Sequence, residues 1–270
     1  ILRCVGNPGE RFREDALRIL RAIRFAYKYD LKIDSLTYNQ ICSDFDLVLT
    51  NVSKERIHDE LKQILTYITY TLNYKDAEII RSLSKLLGIN LETYDEAVDF
   101  IHNICKGPSN YLLKIYMIYI YYMNNLSDVE IWMRTYKFSN KEIQTVINLF
   151  KINWLVYEDM YATLDVIARK IIYHYGYELG KQYTSVSKCL KDTNQTLIEQ
   201  IDKELDINKD FNFKLIISNE EIMQEFKITG KDLGDLNKFL TDKIVEHPGL
   251  NNRKDLVGLI NDYIEKHSNA

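Results

Sequence analysis

Between Glu10 and Phe25 the chain sets ionisable side chains at intervals that suit one helical face. Asp15, Arg18, Arg21 and Arg24 follow one another at steps of three, and residues three apart are surface neighbours on a helix. A carboxylate beside a guanidinium gives an acceptor wall and a rigid donor fork, which is what reading the edge of a nucleobase requires. Glu14 lies four residues before Arg18 and can hold that fork. The competing reading is a solvated, salt-bridged helix face, the usual fate of mixed charges at this spacing.

These residues need a helix to carry them. The Pro8-Gly9 turn precedes an expected helix over residues 11–29, whose opposite side is lined by Leu17, Leu20 and Ile23. A second helix is expected over 35–44. A third follows Ser53 as N-cap, with Arg56 and Glu60 as an i,i+4 pair. Amphipathic spacing then predicts helices over 76–87 (ended by Gly88), 95–105, 127–136, 139–150, 164–175, 180–191, 196–205, 219–226, 230–245 and 253–267. Residues 111–123 are apolar nearly all round and read as a buried helix. Residues 211–217 have strand-like composition but no partner strand, so they read as an extended connector. With only 3 Pro and 10 Gly in 270 residues, an all-α chain with an elongated multi-helix arrangement is expected.

Net charge is −4, unevenly spread. Residues 1–28 carry a local +4, whereas residues 156–270 carry −5, so a nucleic-acid contact must use local patches. Cys4, Cys42, Cys105 and Cys189 are far apart and form no metal or redox motif, as expected for free thiols in the cytoplasm. The apolar run at 111–123 contains Lys114 and is shorter than the roughly 20 residues of a membrane span, so no membrane partner is expected. The chain starts at Ile1 and not at Met, which suggests that something upstream has been removed.

The run Glu10-Arg11-Phe12-x-Glu14-Asp15-x-Leu17-Arg18-x-Leu20-Arg21-Ala22-x-Arg24-Phe25 resembles the neck motif of class II tRNA nucleotidyltransferases, the CCA-adding enzymes, and of the related bacterial poly(A) polymerases. Val5-Gly6-Asn7-Pro8 fits the approach to it. Ser53-x-Glu55-Arg56-Ile57-x-x-Glu60-Leu61 resembles the next neck motif. Gly230-x-x-x-Gly234 and Pro248-x-Leu250-Asn251-x-x-x-x-Leu256 resemble the tail of the Gram-positive-type enzymes. The resemblance implies a neck over residues 1–60, a helical body over 61–155 and a helical tail over 156–270. The family's catalytic head, with its Gly-Ser loop and paired aspartates for Mg2+, has no counterpart in these residues. The resemblance therefore implies a fragment inactive alone, with Mg2+ bound only by the head.

In such a neck, protein side chains select the incoming nucleotide without a template. Cytosine and adenine both present an exocyclic amine beside an unprotonated ring nitrogen. Asp15 can accept from the amine and Arg18 can donate to the ring nitrogen. Uracil and guanine reverse both groups, so acceptor meets acceptor and donor meets donor. Each buried mismatch costs about 1–3 kcal/mol, and two give roughly 10²–10⁴ discrimination. CTP and ATP are the implied substrates and tRNA the implied partner. By resemblance Arg21 and Arg24 lie near ribose or phosphates, or brace Asp15 and Arg18. Arg11, Glu14, Arg56 and Glu60 are supporting residues, with Arg56 and Glu60 tying the next helix to this one.

Other readings compete. A poly(A) polymerase of the same family usually carries a basic C-terminal extension, against the acidic balance here. A stand-alone helical RNA-binding module needs no head. His58-Asp59 would need further His and Asp ligands to hold a metal. Tyr116, Tyr119, Tyr121 and Tyr122 suit a buried helix better than a base-stacking surface. Lys106, Lys114, Arg134, Lys137 and Lys141 read as surface charge or as phosphate contacts in the body.

Overall fold

The computed structural model describes residues 1–68, 77–122, 125–158 and 162–268. Among them the regular structure is helical, and the one β feature is an isolated parallel bridge between Leu2 and Ile33. Two compact units are present: Ile1–Asn153 with Ser185–Gln195, and Trp154–Thr184 with Thr196–Ala270.

The first unit opens with α1 (Pro8–Glu14) and α2 (Leu17–Lys28). The expected single helix over 11–29 is thus broken. Asp15 takes extended backbone (φ −152°, ψ 101°), and its N–H closes α1 on the Arg11 carbonyl. Its Oδ1 then accepts from the Leu17 N–H at 3.1 Å and starts α2. A short carboxylate competes well for backbone N–H groups, and at this position it begins a new helix instead of continuing the old one. Asp15 is therefore a joint residue and does not share a helical face with Arg18.

α3 (Ser35–Asp44), α4 (Asp46–Asn51) and α5 (Lys54–Tyr67) follow. The Asp34 carboxylate caps α3 at its expected start. α2 packs most extensively on α5. Leu17, Leu20 and Ile23 are buried as expected, joined by Ile19 and Ala26, and Ile57, Leu61 and Ile64 are buried on α5.

α6 (Ala77–Leu86), α7 (Tyr94–Lys106), α8 (Tyr111–Tyr122), α9 (Leu126–Thr135) and α10 (Asn140–Glu158) come next. The expected starts at Asp76 and ends at Met123 lie outside the described residues. Gly88, at φ +74°, lets the chain leave α6, and Thr93 with Glu96 forms a capping box on α7. Tyr116 and Tyr119 are buried in α8, and the Tyr119 hydroxyl donates to the Leu87 carbonyl at 2.7 Å. Lys114 corrects the surface reading. It is 1% exposed and donates to the Ile68 carbonyl at 2.8 Å, where α5 ends. An ammonium at a helix C-terminus satisfies an orphan carbonyl and meets the negative end of the helix dipole. His58 packs on Phe138 with ring centroids 4.1 Å apart, and burial disfavours its charged form.

The second unit holds α11 (Leu164–Tyr175), α12 (Tyr177–Ser187), α13 (Gln195–Ile207), α14 (Asn219–Phe226), α15 (Gly230–Glu246) and α16 (Arg253–Ser268), with the ends of α10, α12 and α13 lying across the unit boundary. Ile222, Leu236, Leu240, Ile244, Leu256 and Ile260 form one core there. Residues 211–217 run as a connector without strand pairing. The Asn251 amide clamps that connector, accepting from the Ile216 N–H and donating to the Lys214 carbonyl, both at 3.0 Å. Arg169 is almost fully buried and donates to the Val245 carbonyl at 2.7 Å, near the end of α15.

α5, α8 and α10 meet at Glu142. Lys62 Nζ reaches its Oε1 at 3.0 Å, the Tyr111 hydroxyl donates to the same oxygen, and the Ser139 N–H donates to Oε2 at 2.7 Å. Burial alone would raise this carboxyl. The Tyr111, Ser139 and Lys62 donors outweigh it and hold the pKa at about 2. A carboxyl lowered from its ordinary 4.5 adds stability above that value and loses it as pH falls towards 2. Urea unfolding of the chain should therefore show stability declining below about pH 5, and Glu142→Gln should flatten that acid limb. An unchanged limb would count against the cluster.

Candidate functional site

Glu14 is the last residue of α1, Asp15 is the joint, and Arg18, Arg21 and Arg24 lie on α2. The two adjacent carboxylates take different partners. Glu14 accepts from Arg11 Nη1 at 3.0 Å and from Arg18 Nη1 at 2.8 Å. These hydrogen bonds, Arg11's first, hold the Glu14 carboxyl below its ordinary range and push the Arg11 guanidinium up. Arg18 Nη1 also donates to the Arg11 carbonyl at 3.1 Å, so the end of α1 and the start of α2 are laced together. Asp15 instead accepts from Arg56 Nη2 at 3.1 and 3.2 Å.

Arg56 and Glu60 do not pair with each other as their i,i+4 spacing allowed; each reaches across to the opening segment, the helix-tying role expected of them. Glu60 Oε2 accepts from Arg24 Nε at 2.6 Å, and its Oε1 lies 3.6 Å from Arg21 Nε. The Arg24 and Glu60 side chains are 13% and 12% exposed. A carboxylate so little exposed needs a cation beside it, and Arg24 and Arg21 of α2 supply it. Of the two roles open to Arg24, the geometry favours the brace. Arg21 is half exposed and only loosely paired.

Beside this lacework lies an open depression of about 300 Å³ lined by Cys4, Val5, Arg11 and Arg18. The segment before α1 forms its apolar side. The Cys4 N–H donates to the Thr37 hydroxyl at 3.0 Å, and Gly6 turns the chain at φ +85°. Val5 is left highly exposed. Sequence reasoning used Val5 only as part of a motif and did not single out Cys4. The available signal was Gly6 followed by the Asn7 cap, which together aim the residues before them back over α1.

The arrangement brings donors and acceptors to one end of α2. Among the described residues Arg18 uses Nη1 alone, on Glu14 and Arg11, so its fork keeps further donors for a ligand. Asp15 Oδ2 accepts only from Arg56 among the described residues. Among the described residues no group of three or more His, Cys, Asp or Glu is placed to hold a metal ion, and no helix is long and apolar enough to cross a membrane.

No family model matches the chain. Its curated relatives include the CCA-adding enzymes of Streptococcus thermophilus, 24% identical over 266 residues, and of Lactococcus lactis strain IL1403, 29% identical over 260 residues. These alignments cover 96% and 91% of this chain but 63% and 58% of the relatives, so the chain spans less than two thirds of their length. A 65-residue stretch is 48% identical to the enzyme of Limosilactobacillus reuteri, covering 24% of this chain and 16% of the relative. Among solved structures, the Bacillus stearothermophilus CCA-adding enzyme in complex with CTP matches with a TM-score of 0.65 at 16% identity, over 98% of this chain and 66% of that one. The Thermotoga maritima enzyme complexed with tRNA matches with a TM-score of 0.55 at 15% identity, over 94% and 62%. The chain shares their fold, and its sequence is related to the CCA-adding enzymes.

The Arg24–Glu60 pair should be the strongest charge coupling at the site. Removing one partner of a largely buried pair costs about 3–5 kcal/mol, whereas an exposed pair is worth about 0–1 kcal/mol. Double-mutant cycles in urea should give a larger coupling for Arg24 with Glu60 than for Arg56 with Asp15. The reverse order would refute the brace.

Proposed function

From the kinship with CCA-adding enzymes, we propose that this chain is the neck (1–60), body (61–155) and tail (156–270) of a tRNA nucleotidyltransferase that extends tRNA 3′ ends with CMP and AMP. The observation that supports the reading is the α1–α2 joint, where Asp15 starts α2 under the grip of Arg56 and Arg18, held by Glu14 and the Arg11 carbonyl, lines an open depression. Asp15 accepts from the exocyclic amine of C or A while Arg56 holds its carboxylate. Arg18 donates to the ring nitrogen while Glu14 and Arg11 hold its guanidinium. Arg21, half exposed one turn further along, meets ribose or phosphate. Arg24 and Glu60 set the angle of α2 and touch no substrate.

Both reading residues are held by partners of opposite charge, and this supports a specificity role. An unpaired carboxylate would rotate, and a pocket that tells an amine from a carbonyl needs a fixed acceptor. Asp15 and Arg18 are not catalysts in this reading. A head domain supplies phosphate binding and Mg2+, which in this family serves phosphoryl transfer, and body and tail hold the acceptor stem and T arm through backbone shape.

Two outcomes test the proposal. The isolated chain, given tRNA lacking its CCA end with CTP, ATP and Mg2+, should transfer no nucleotide; measurable CMP addition would overturn the division of labour. In an enzyme carrying a head, Asp15→Ala should relax discrimination against UTP and GTP by roughly 10- to 100-fold, the worth of one mismatched contact. Unchanged selectivity with a reduced rate would refute the base-edge role.

A further inference from the structure

α2 carries four cations, Arg18, Arg21, Arg24 and Lys28, and no acid. Its last turn and C-cap also carry two exposed aromatic rings. Phe25 is 36% exposed and Tyr29 56% exposed, on a helix whose aliphatic side chains Leu17, Ile19, Leu20 and Ile23 are all buried. The two rings stack, with centroids 5.9 Å apart and planes 19° from parallel. Cations hold them in place. Arg24 Cζ lies 4.2 Å from the Phe25 centroid, and Lys28 Nζ lies 5.5 Å from Tyr29 and 5.1 Å from the half-buried Tyr67 of α5. Arg24 is itself fixed by Glu60. The rings are thus ordered in advance, and a ligand that stacks on them has little side-chain entropy left to remove.

Residues 18, 21, 25 and 28 follow at steps of three and four, so they form one stripe. At 1.5 Å per residue, Phe25 lies about 10 Å and Tyr29 about 16 Å along the helix from Arg18, the length of a few nucleotides. Flat faces set between cations fit a polyanion with exposed bases. Stacking is tolerant of sequence because every base has a π-face, and guanidinium and ammonium groups serve the phosphates. Arg18 and Arg24 already have the carboxylates of Glu14 and Glu60, and Arg21 shares Glu60 only at 3.6 Å, so Arg21 and Lys28 are the cations left to meet phosphates.

We propose that this stripe is a track for unpaired RNA: Phe25 and Tyr29 stack on bases near the strand's 3′ end, and Arg21 and Lys28 meet its phosphates. The direction of the track, with the growing end at Arg18, rests on reading Asp15 and Arg18 as the nucleotide-selecting pair.

The test is fluorescence anisotropy of this chain with a 5′-labelled unpaired ten-nucleotide RNA and with a blunt-ended RNA hairpin. Phe25→Leu and Tyr29→Leu keep apolar bulk but cannot stack, and each should weaken binding of the unpaired strand about fivefold or more with little change in urea midpoint. Tyr29→Phe should bind like the parent, and Lys28→Gln should lower the slope of log affinity against log salt by about 0.7. Three results would overturn the track: affinity weaker than about 0.1 mM for the unpaired strand, leucine variants that bind that strand as the parent does, or leucine variants that lose affinity for the strand and the blunt hairpin alike. Self-association lost in Tyr29→Leu with RNA affinity intact would also overturn it and mark a protein-docking face. The nucleotide reading is scored apart. If Asp15→Ala leaves CTP/UTP selection intact while Tyr29→Leu loses RNA affinity, that reading falls and the track stands without its direction. The opposite pattern leaves the reading and removes the track.

Discussion

The largely buried contact between Arg24 and Glu60 sets the geometry on which the rest of the α1–α2–α5 region depends. It sits in an apolar seam between α2 and α5, where Ile19 and Leu20 are buried on one helix and Ile57, Leu61 and Ile64 on the other. Apolar packing alone resists separation of two helices but only weakly resists rotation about their axes. A 2.6 Å hydrogen bond between two largely buried charges is directional, and turning α2 would break it. The seam therefore fixes which side of α2 faces solvent. Arg18 and Arg21 fall on that side.

The joint at Asp15 adds a second constraint. Adjacent carboxylates in a continuous helix would point about 100° apart and share one face only poorly. Breaking the helix gives each carboxylate its own job. Glu14 finishes α1 and grips Arg11 and Arg18, while Asp15 starts α2 and is held from α5 by Arg56. Three elements thereby converge on one end of α2, and each lies within the first unit.

A related device recurs beyond the joint. Helix ends leave carbonyl groups without intrahelical partners, and here long side chains from distant positions supply the donors. Lys114 serves the end of α5, Trp132 and Tyr119 serve the carbonyls of Leu86 and Leu87 at the end of α6, and Arg169 serves Val245 in the last turn of α15. Asn251, in the motif that resembles the family's tail, pins the 211–217 connector by its backbone. Each contact is buried or joins remote segments, so each orders the chain beyond what local propensity can do.

The helices were largely legible because their signals are local. The expected spans 35–44, 164–175 and 219–226 coincide with α3, α11 and α14, two of them started by side-chain caps from Asp34 and Ser218. Burial of Leu17, Leu20 and Ile23 followed from helical spacing in the same way. The charge pattern behaved differently. Spacing picks out Asp15 with Arg18 and, separately, Arg56 with Glu60, and only the family resemblance joined the two segments, without saying which charge takes which. Only packing of α5 on α2 decided that Arg56 takes Asp15 and Glu60 takes Arg24. The break at Asp15 turns on one residue's backbone, and the burial of Lys114 on a carbonyl forty-six residues away. Periodicity and caps thus determined which segments are helical. Tertiary structure alone decided which charges pair and which stay open to a ligand, because pairing is a contest among partners that only folding brings within reach.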